Sequence, residues 1–171
     1  MAPPLRAAAP FEVRYRPMID DDLGFMAQLY ASTRAEELAG TGWPEEAKAA
    51  FLQQQHEAQH RHYMSHNPAA EWLVIERGKE RIGRLYLRED PTRFHIIDIA
   101  LVSHSRGQGI GEAILRDILG QARDVGKAVS IHVEKFNPAR RLYERIGFVP
   151  VEDHGAYDLL VAEIATPSAR Q

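Results

Sequence analysis

An apolar segment, a glycine-rich loop and an amphipathic helix follow one another in the middle of the chain. Residues 94–102, FHIIDIALV, are almost continuously apolar, as in a strand that is covered on both faces. The loop SHSRGQGIG then opens a helix with one apolar stripe, made of Ile110, Ala113, Ile114, Ile118 and Ala122. Gly126 ends this helix, and the segment KAVSIHVEK follows as another strand. A strand, a helix and a strand in this order predict an α/β domain.

The segments on either side of this unit complete the domain. Alternating apolar and polar residues predict further strands at 11–16, 71–78, 81–90, 148–153 and 156–164. The other predicted helices cover 20–38, 44–64 and 137–147. The resulting order is β-α-α-β-β-β-α-β-α-β-β around a central mixed sheet flanked by helices. We expect one domain over residues 11–164, with a flexible arm at 1–10 and a short tail at 165–171.

Composition narrows the classes of function. The 171 residues include no cysteine, which excludes disulfides, thiolate metal sites and a cysteine nucleophile, and which suits a cytoplasmic protein. The net charge of −3 gives no reason to expect nucleic acid or an anionic membrane as partner. No apolar run approaches the ~18 residues that a bilayer span needs.

Glycines at 107, 109 and 111 lie where the apolar strand gives way to the helix. They leave backbone N–H groups bare at a helix N-terminus, whose partial positive charge attracts anions. Arg106 adds a full positive charge, so the combination favours a pyrophosphate group as ligand. The loop is not a Walker A loop, and it lacks the third glycine of the dinucleotide fingerprint. A plain strand-to-helix turn is the alternative.

Two motifs resemble those of a known enzyme family. Arg106-Gly107-Gln108-Gly109-Ile110-Gly111 is similar to the R/Q-x-x-G-x-G/A motif of the GNAT (Gcn5-related) N-acetyltransferases. Further along, VEKFNPARRLYERIGF resembles the N-x-x-A-x-x-x-Y-x-x-x-G-F segment of that family, and the order of elements over residues 11–164 matches as well. The resemblance implies a splayed central sheet, an acyltransferase activity and acetyl-CoA as co-substrate, with no metal.

The resemblance also assigns residues to the donor, acetyl-CoA. Main-chain groups of Leu101 and Val102 are expected to pair with the pantetheine arm. Asn137, which can also cap the short helix, is expected to contact the pantetheine or cysteamine end. The pyrophosphate is expected to lie on backbone N–H groups of Arg106, Gly107, Gln108, Gly109, Ile110, Gly111 and Glu112.

Candidate catalytic groups follow from the same resemblance. Tyr143 matches the tyrosine that protonates the departing CoA thiolate, a task that suits a neutral phenol near the sulfur. The general base, which takes a proton from the amine, has three candidates: His132, Asp98 and His95. A histidine titrates near neutrality, whereas an unpaired acid in an apolar strand is costly to bury. For each of these residues the alternative is a structural side chain of the sheet or of the short helix.

In this family the first two helices and the last hairpin line the acceptor pocket. This places Glu36, Glu37 and Trp43 near the entrance, with His154 and Tyr157 from the hairpin. Acids there favour a cationic amine, although a solvated helix face and a packed loop tryptophan are the alternatives. The expected reaction is direct attack of a primary amine on acetyl-CoA in a ternary complex, with the acceptor unidentified. Many members of the family pair, so a homodimer is one expected assembly.

Two other functions stay open on the sequence. A protein of this fold can bind acyl-CoA as a sensor module without catalysing transfer. A zinc peptidase is the other, because residues 56–60 read H-E-x-x-H and place His56 and His60 on one helix face. Tyr63 stands where the extended zinc motif requires glycine, and one strand alone is predicted before this helix. With His62 and His66 in the same segment, local composition explains the match more simply.

Overall fold

The computed structural model describes residues 1–164, so the predicted tail at 165–171 lies outside the described residues. The helices are α1 (Leu23–Ala39), α2 (Glu45–His66), α3 (Ile110–Asp124) and α4 (Arg140–Arg145). The strands are β1 (Val13–Pro17), β2 (Glu71–Arg77), β3 (Glu80–Glu89), β4 (Arg93–Leu101), β5 (Ala128–Glu134), β6 (Val149–His154) and β7 (Tyr157–Ala162). Short 3-10 helices cover Ala9–Phe11, Asp20–Asp22 and Ser103–Ser105. The predicted order of elements and the mixed α/β class are confirmed.

The strands of residues 1–164 form one sheet in the order β1-β2-β3-β4-β5-β7-β6. Neighbouring strands are antiparallel except for β4 and β5, which run parallel. The hairpins turn at Gly78 and Gly155, whose φ angles of 61° and 79° suit glycine. A parallel pair needs a longer crossover, which α3 supplies. The sheet therefore changes from antiparallel to parallel pairing at its middle, between β4 and β5.

β4 and β5 pair over the first part of their length and then separate. Their parallel ladder ends at the pair Ile96↔Ile131. At this point the β3–β4 register also shifts, because Ile97 is an extra residue on β4 and forms a β-bulge. A bulge bends its strand and increases the local twist. Residues 97–101 of β4 and 132–134 of β5 are therefore not paired with each other, and the gap between them is called the wedge.

The face of the sheet that α3 covers contains the main core. The stripe predicted on α3 is buried, since Ile110, Ile114, Ile118 and Ala122 are all 0% exposed. They belong to one cluster with apolar residues of β1–β5 and β7. Burying one such large aliphatic side chain contributes roughly 1.5–3 kcal/mol. This packing fixes α3 on the sheet, and with it the position of the loop that precedes α3.

Helices α1 and α2 cover the opposite face. Arg84 and Tyr86 alternate along β3 with core residues, and their side chains meet α2, where the ring of Tyr63 lies 6.2 Å from that of Tyr86. Most of α2 is exposed, and among its side chains His56 is the buried one. No helix in the described part of the chain has both the length and the apolarity that crossing a bilayer requires.

Residues 1–10, the N-terminal segment, pack against α3. The carboxylate of Asp117 on α3 is 2% exposed and accepts hydrogen bonds from the backbone N–H groups of Arg6, Ala7 and Ala8, at 3.1, 2.6 and 3.0 Å. A buried carboxylate requires such donors, and satisfying it orders the segment. The segment expected to be a flexible arm is thus hydrogen-bonded to α3, through a residue more than a hundred positions away in the sequence.

Candidate functional site

The glycine-rich loop joins the end of β4 to α3 at the mouth of the wedge. Gly107 and Gly109 have φ angles of 70° and 88°, in the left-handed region that favours glycine. The first bond of α3 runs from the N–H of Ala113 to the carbonyl of Gly109 at 3.0 Å. The amides of residues 110–112 therefore have no partner inside the helix, and with the helix dipole they form an end that attracts anions. This geometry suits the predicted pyrophosphate ligand.

Arginine side chains surround this loop. Arg77 donates to Oε1 of Gln108 at 3.4 Å and so contacts the middle of the loop. Glu112, in the first turn of α3, is paired with Arg145 at 2.6 Å and with Arg116 at 2.7 Å. Hydrogen bonds from these two arginines lower the pKa of Glu112. The one acid of the loop is therefore outnumbered by positive groups, as an anion site requires.

Arg106 lies across the mouth of the wedge. Its Nε donates to the carbonyl of Leu101 at 2.8 Å, and its Nη2 donates to Oγ of Ser32 on α1 at 3.1 Å. The N–H of Val102 donates to the carbonyl of Ile82 on β3 at 2.8 Å, so this amide belongs to the sheet. The carbonyl of Leu101 is part of the same trans peptide and points the opposite way, into the wedge. Of the two residues predicted to pair with the donor, Leu101 thus presents its carbonyl to the wedge.

Tyr143 on α4 is a buried side chain close to Asp98. It is 6% exposed, and its ring packs edge-on against Phe148 with the centroids 5.7 Å apart. Burial, and then the negative charge of Asp98, raise the pKa of Tyr143 above its ordinary value. The phenol is therefore neutral at neutral pH, which is the state that a proton donor needs.

Asn137 shapes the turn before α4. Its Oδ1 accepts a hydrogen bond from the N–H of Ala139 at 2.9 Å, and its carbonyl accepts one from the N–H of Arg140 at 3.0 Å. These bonds form a tight turn, so α4 begins at Arg140 and not at the start of the predicted helix, 137–147. Ala139 is the N-cap of α4, so Asn137 does not cap this helix as predicted. Its side-chain oxygen is used in the turn, and its exposed amide nitrogen is the group available to a ligand.

Asp98 lies on β4 just beyond the bulge and is held in an ion pair. Nη2 of Arg84 donates to Oδ2 of Asp98 at 2.7 Å, and the hydroxyl of Tyr63 lies 3.4 Å from the same oxygen. The Arg84 side chain is 3% exposed, so its charge depends on this carboxylate. Asp98 is therefore the charge partner of a buried arginine, which is a structural role.

Three histidines, His95, His132 and His154, form a row across β4, β5 and β6, called the histidine row. Successive ring centroids are 5.2 and 5.3 Å apart. His95 is the inner member, with Nδ1 2.8 Å from Oγ of Ser130, and burial lowers its pKa to about 4. His132 is exposed, and its pKa is lowered by partial desolvation and then by His154. His154 is the outer member, 3.0 Å from the carboxylate of Glu152.

A polar network joins α1 to the strands beside the wedge. Arg34 on α1 donates to Glu37 at 2.9 Å and to Glu134 on β5 at 3.2 Å. Tyr157 on β7 also donates to Glu134, at 3.2 Å. Two residues predicted to line the acceptor pocket, Glu37 and Tyr157, are thus connected through Arg34 and Glu134. Neither Arg34 nor Glu134 was predicted from the sequence. The spacing could have indicated Glu134, because it lies two residues after His132 and so on the same face of β5.

The other predicted acceptor residues lie apart from this network. Glu36 is exposed on the last turns of α1. Trp43, in the loop between α1 and α2, is 44% exposed and packs edge-on against Phe51 with the ring centroids 5.5 Å apart. In the described residues, neither side chain hydrogen-bonds to Arg34 or Glu134. Trp43 therefore fits the packed-loop alternative as well as it fits a site at the entrance.

The histidines of the H-E-x-x-H pattern pack inside the helical layer. His56 is 5% exposed, and its ring lies 5.8 Å from that of Tyr30 on α1 and 6.1 Å from that of His60. Burial, and then the positive charge of Arg84, lower the pKa of both histidines. Within residues 1–164, no group of three or more His, Cys, Asp or Glu side chains is arranged to hold a metal ion. Packing against α1 accounts for His56.

Comparison with curated proteins identifies related sequences. Residues 33–160 match the family described as acetyltransferase (GNAT) domain. A curated relative, the mycothiol acetyltransferase of Corynebacterium glutamicum (strain R), is 31% identical over 106 residues. That match covers 57% of this chain and 36% of the relative, so the chain spans little more than a third of the relative's length.

Solved structures share the fold. The PaiA N-acetyltransferase from Thermoplasma acidophilum, in complex with coenzyme A, superposes with a TM-score of 0.66 at 15% identity, covering 88% of this chain and 98% of that one. A GNAT family acetyltransferase from Elizabethkingia anophelis with acetyl-CoA bound gives 0.54 at 19% identity, covering 89% and 98%. Identities this low show likeness of fold alone, whereas the domain match includes the glycine-rich loop, the wedge and Tyr143. The chain belongs to the GNAT acetyltransferase family.

Proposed function

We propose that the protein transfers an acetyl group from acetyl-CoA to a primary amine by direct attack in a ternary complex. The observation that carries this proposal is the wedge, which has the glycine-rich loop at its mouth and a buried, protonated Tyr143 near Asp98 on its wall. Membership of the GNAT family supports the same reaction. So does the presence of coenzyme A or acetyl-CoA in two proteins that share the fold.

In this proposal the donor lies extended in the wedge and pairs with the open edge of β4, as a neighbouring strand would. The carbonyl of Leu101 accepts a hydrogen bond from an amide of the pantetheine arm, because it points into the wedge. The backbone amides of residues 107–112 hold the pyrophosphate, supported by the surrounding arginines. The amide of Arg106, which was predicted to join them, already donates to the carbonyl of Ser103 at 3.2 Å. The side-chain amide of Asn137 contacts the cysteamine end. These contacts align the thioester with the part of the wedge between Tyr143 and the histidine row.

Two protons leave the acceptor nitrogen, and a third moves from Tyr143 to the CoA thiolate. His132 takes one from the acceptor ammonium, and the resulting amine attacks the thioester carbonyl, so that a C–N bond forms and the C–S bond breaks. Tyr143 gives its phenolic proton to the CoA thiolate, and the proton that the new amide nitrogen loses restores Tyr143. Backbone N–H groups released from pairing at the Ile97 bulge stabilise the oxyanion.

We assign the base to His132 because of its neighbours. It is the first residue of β5 beyond the end of the ladder, and it is exposed toward the acceptor side. His95 is held at Ser130 with a pKa of about 4, so it is a poor proton acceptor at neutral pH. Asp98 neutralises the buried Arg84 and is better described as a positioning residue.

The acceptor enters beside the network of Arg34, Glu37, Glu134 and Tyr157. Two carboxylates in this group offset the single guanidinium, and Glu36 lies close by on α1. The excess of carboxylates favours a cationic amine as acceptor, because the carboxylates attract its ammonium group. The ammonium group then gives up a proton to the base. Trp43 forms the outer, apolar edge of the entrance in this proposal.

Thiol release from acetyl-CoA in the presence of a panel of cationic amines tests the proposal. We expect Tyr143→Phe to lower kcat by roughly 100-fold or more while acetyl-CoA still binds with wild-type affinity. Tyr15→Phe is the matched control, because its buried hydroxyl has no hydrogen-bond partner in residues 1–164 and lies away from the wedge. Binding of acetyl-CoA without thiol release for any amine would instead favour the sensor module.

The pH dependence of kcat/KM tests the choice of base. The pKa of His132 is lowered, so the reactive neutral form is present above it and is lost as the pH falls through it. We expect kcat/KM to fall on the acid side, below the ordinary histidine value of about 6.5. In His132→Gln this acid limb should disappear along with most of the rate. An unchanged acid limb in that variant would assign the base elsewhere.

A further inference from the structure

Glu134, at the end of β5, has a carboxylate charge that its neighbours offset only in part. Within residues 1–164 its cationic partner is Arg34, at 3.2 Å. The same guanidinium donates to both carboxylate oxygens of Glu37, at 2.9 and 3.2 Å. Two carboxylates therefore share one cation, and one negative charge is left between α1 and β5.

One oxygen of the Glu134 carboxylate is free to accept a further hydrogen bond. Oε1 accepts both of the bonds that Glu134 makes, from Nη2 of Arg34 and from the hydroxyl of Tyr157, each at 3.2 Å. Oε2 has no hydrogen-bond partner in the part of the chain that the structure describes, and the side chain is 38% exposed. An ionised carboxylate can accept on both oxygens. Oε2 is therefore available to a cation that arrives from solvent.

Glu134 and the proposed base, His132, lie on the same face of β5. Both follow the last pair of the β4–β5 ladder, and they are paired with Tyr157 and Leu159 of β7. Residues two positions apart along a strand are separated by about 6–7 Å and point to the same side. A nitrogen that gives its proton to His132 is therefore about this distance from the uncompensated carboxylate. An extended chain of about four or five methylene groups between two nitrogens spans it.

We propose that Glu134 is an acceptor-specificity residue that selects small aliphatic diamines. One amine of the acceptor reacts beside His132, while the other stays protonated and donates to Oε2 of Glu134. Arg34 and Tyr157 keep their bonds to Oε1, so binding requires no rearrangement of the network. A monoamine reaches His132 but leaves the negative charge uncompensated. This inference rests on the proposed function, because it takes the His132 side of the wedge as the place where the amine reacts.

Two matched series of acceptors isolate the effect of the second charge. Thiol release from acetyl-CoA is measured with linear diamines of two to six methylene groups, and with the same chains in which a methyl group replaces the second amine. Glu134→Gln removes the carboxylate charge, and Glu134→Asp keeps it but draws it back by one methylene. Glu89→Gln is the matched control, since Glu89 is a strand carboxylate, 44% exposed and paired with Lys127, at the opposite end of the sheet from the wedge. Thermal unfolding verifies that each variant is folded.

The quantity compared is the ratio of kcat/KM for a diamine to kcat/KM for its matched monoamine. In the wild type we expect this ratio to be highest at about four or five methylene groups and to reach about fivefold or more, as for a partly exposed charged hydrogen bond. The difference should lie mainly in KM, because the second ammonium is bound equally before and during the reaction. Glu134→Gln should bring the ratio close to one. Glu134→Asp should make the best diamine one methylene longer, and Glu89→Gln should change neither ratio nor optimum.

Equal kcat/KM values for matched diamines and monoamines in the wild type would overturn this proposal and leave the proposed acetyl transfer intact. A ratio that rises with chain length without a maximum would overturn it too, as would a preference for diamines that survives in Glu134→Gln. Release of thiol with none of these amines is a different result. It would contradict the proposed function itself, and the inference about Glu134 with it.

Discussion

His95 lies at the inner end of the histidine row, with Nδ1 2.8 Å from Oγ of Ser130. Burial, followed by the nearby positive groups His132 and Arg88, lowers its pKa to about 4, and Asp90 opposes this shift only in part. A histidine in the unfolded chain titrates at about 6.5, so between these two values the unfolded state binds more protons. The stability that neutral His95 contributes is therefore present above pH 6.5 and is lost as the pH falls through 4.

We predict that His95→Gln removes part of the acid sensitivity of the fold. The free energy of unfolding of the wild type should fall by about 2 kcal/mol more between pH 7 and pH 4.5 than that of the variant. Urea unfolding at both pH values measures this difference. His104→Gln is the control for loss of a histidine, because the side chain of His104 is 60% exposed beside Glu80 and lacks the burial on which the prediction depends. Equal slopes for wild type and His95→Gln would contradict the burial argument.

Several candidate residues could be predicted from the sequence, whereas the residues they contact could not. Tyr143 and His132 could be named from a motif and from strand position. The pairing of Asp98 with Arg84 could not, because Arg84 lies opposite Ala100 and reaches Asp98 diagonally. That contact depends on the register that the bulge at Ile97 sets, and no residue type marks such a bulge. The same applies to the contact between Arg34 and Glu134, which joins a helix to a strand distant in sequence.

The two glycines at the start of α3 differ in what their backbone conformation requires. Gly109 has a φ angle of 88°, and a Cβ atom there would lie 3.4 Å from Cζ of Phe11. Gly111 has an ordinary helical conformation, and its Cβ would meet nothing closer than Leu101 at 3.8 Å. The backbone thus requires glycine at the first position and accepts alanine at the second.

This contrast makes a pair of variants informative. Gly109→Ala should lower the free energy of unfolding by about 1–2 kcal/mol, the cost of a left-handed conformation. Gly111→Ala should leave stability unchanged or raise it by up to about 1 kcal/mol, because alanine favours the helix. Urea denaturation of the two variants measures both. Equal losses would mean that the loop does not have the described backbone conformation.

Asp117 connects α3 to the N-terminal segment through the backbone amides of Arg6, Ala7 and Ala8. We predict that Asp117→Asn lowers the free energy of unfolding by about 2–3 kcal/mol. Asparagine has one neutral acceptor oxygen, and its NH2 group would face backbone N–H groups that need an acceptor. Faster proteolysis within residues 1–10 should accompany the loss. Asp124→Asn is the control: Asp124 is 52% exposed beside Arg6 and should cost less than about 1 kcal/mol. Similar effects of both variants would contradict the anchoring role.

The order of helices and strands could be predicted because apolar periodicity and turn residues mark each element locally. The amphipathic stripe of α3, for example, is fully visible in the sequence and is buried as expected. The docking of the N-terminal segment could not be predicted, since Asp117 looks like any surface acid on a helix. Asp117 is buried because the N-terminal segment, more than a hundred residues earlier in the chain, packs against it.

At the scale of the whole molecule, three features of one sheet meet at the wedge. The single parallel pair of the described sheet ends there, β4 has its bulge at the same point, and α3 begins at the mouth of the wedge. Each alone has a structural explanation. Together they place unpaired backbone groups, an anion-attracting helix end and a protonated phenol around one gap, which is the basis for assigning acetyl-CoA to it.

Amide hydrogen exchange with and without acetyl-CoA tests whether the donor lies in the wedge, because it reports where the ligand lies as well as whether it binds. We predict slower exchange in residues 107–112 and at the ends of β4 and β5, with α2 unaffected. Absence of protection at saturating acetyl-CoA, or protection confined to α2 and its histidines, would contradict it.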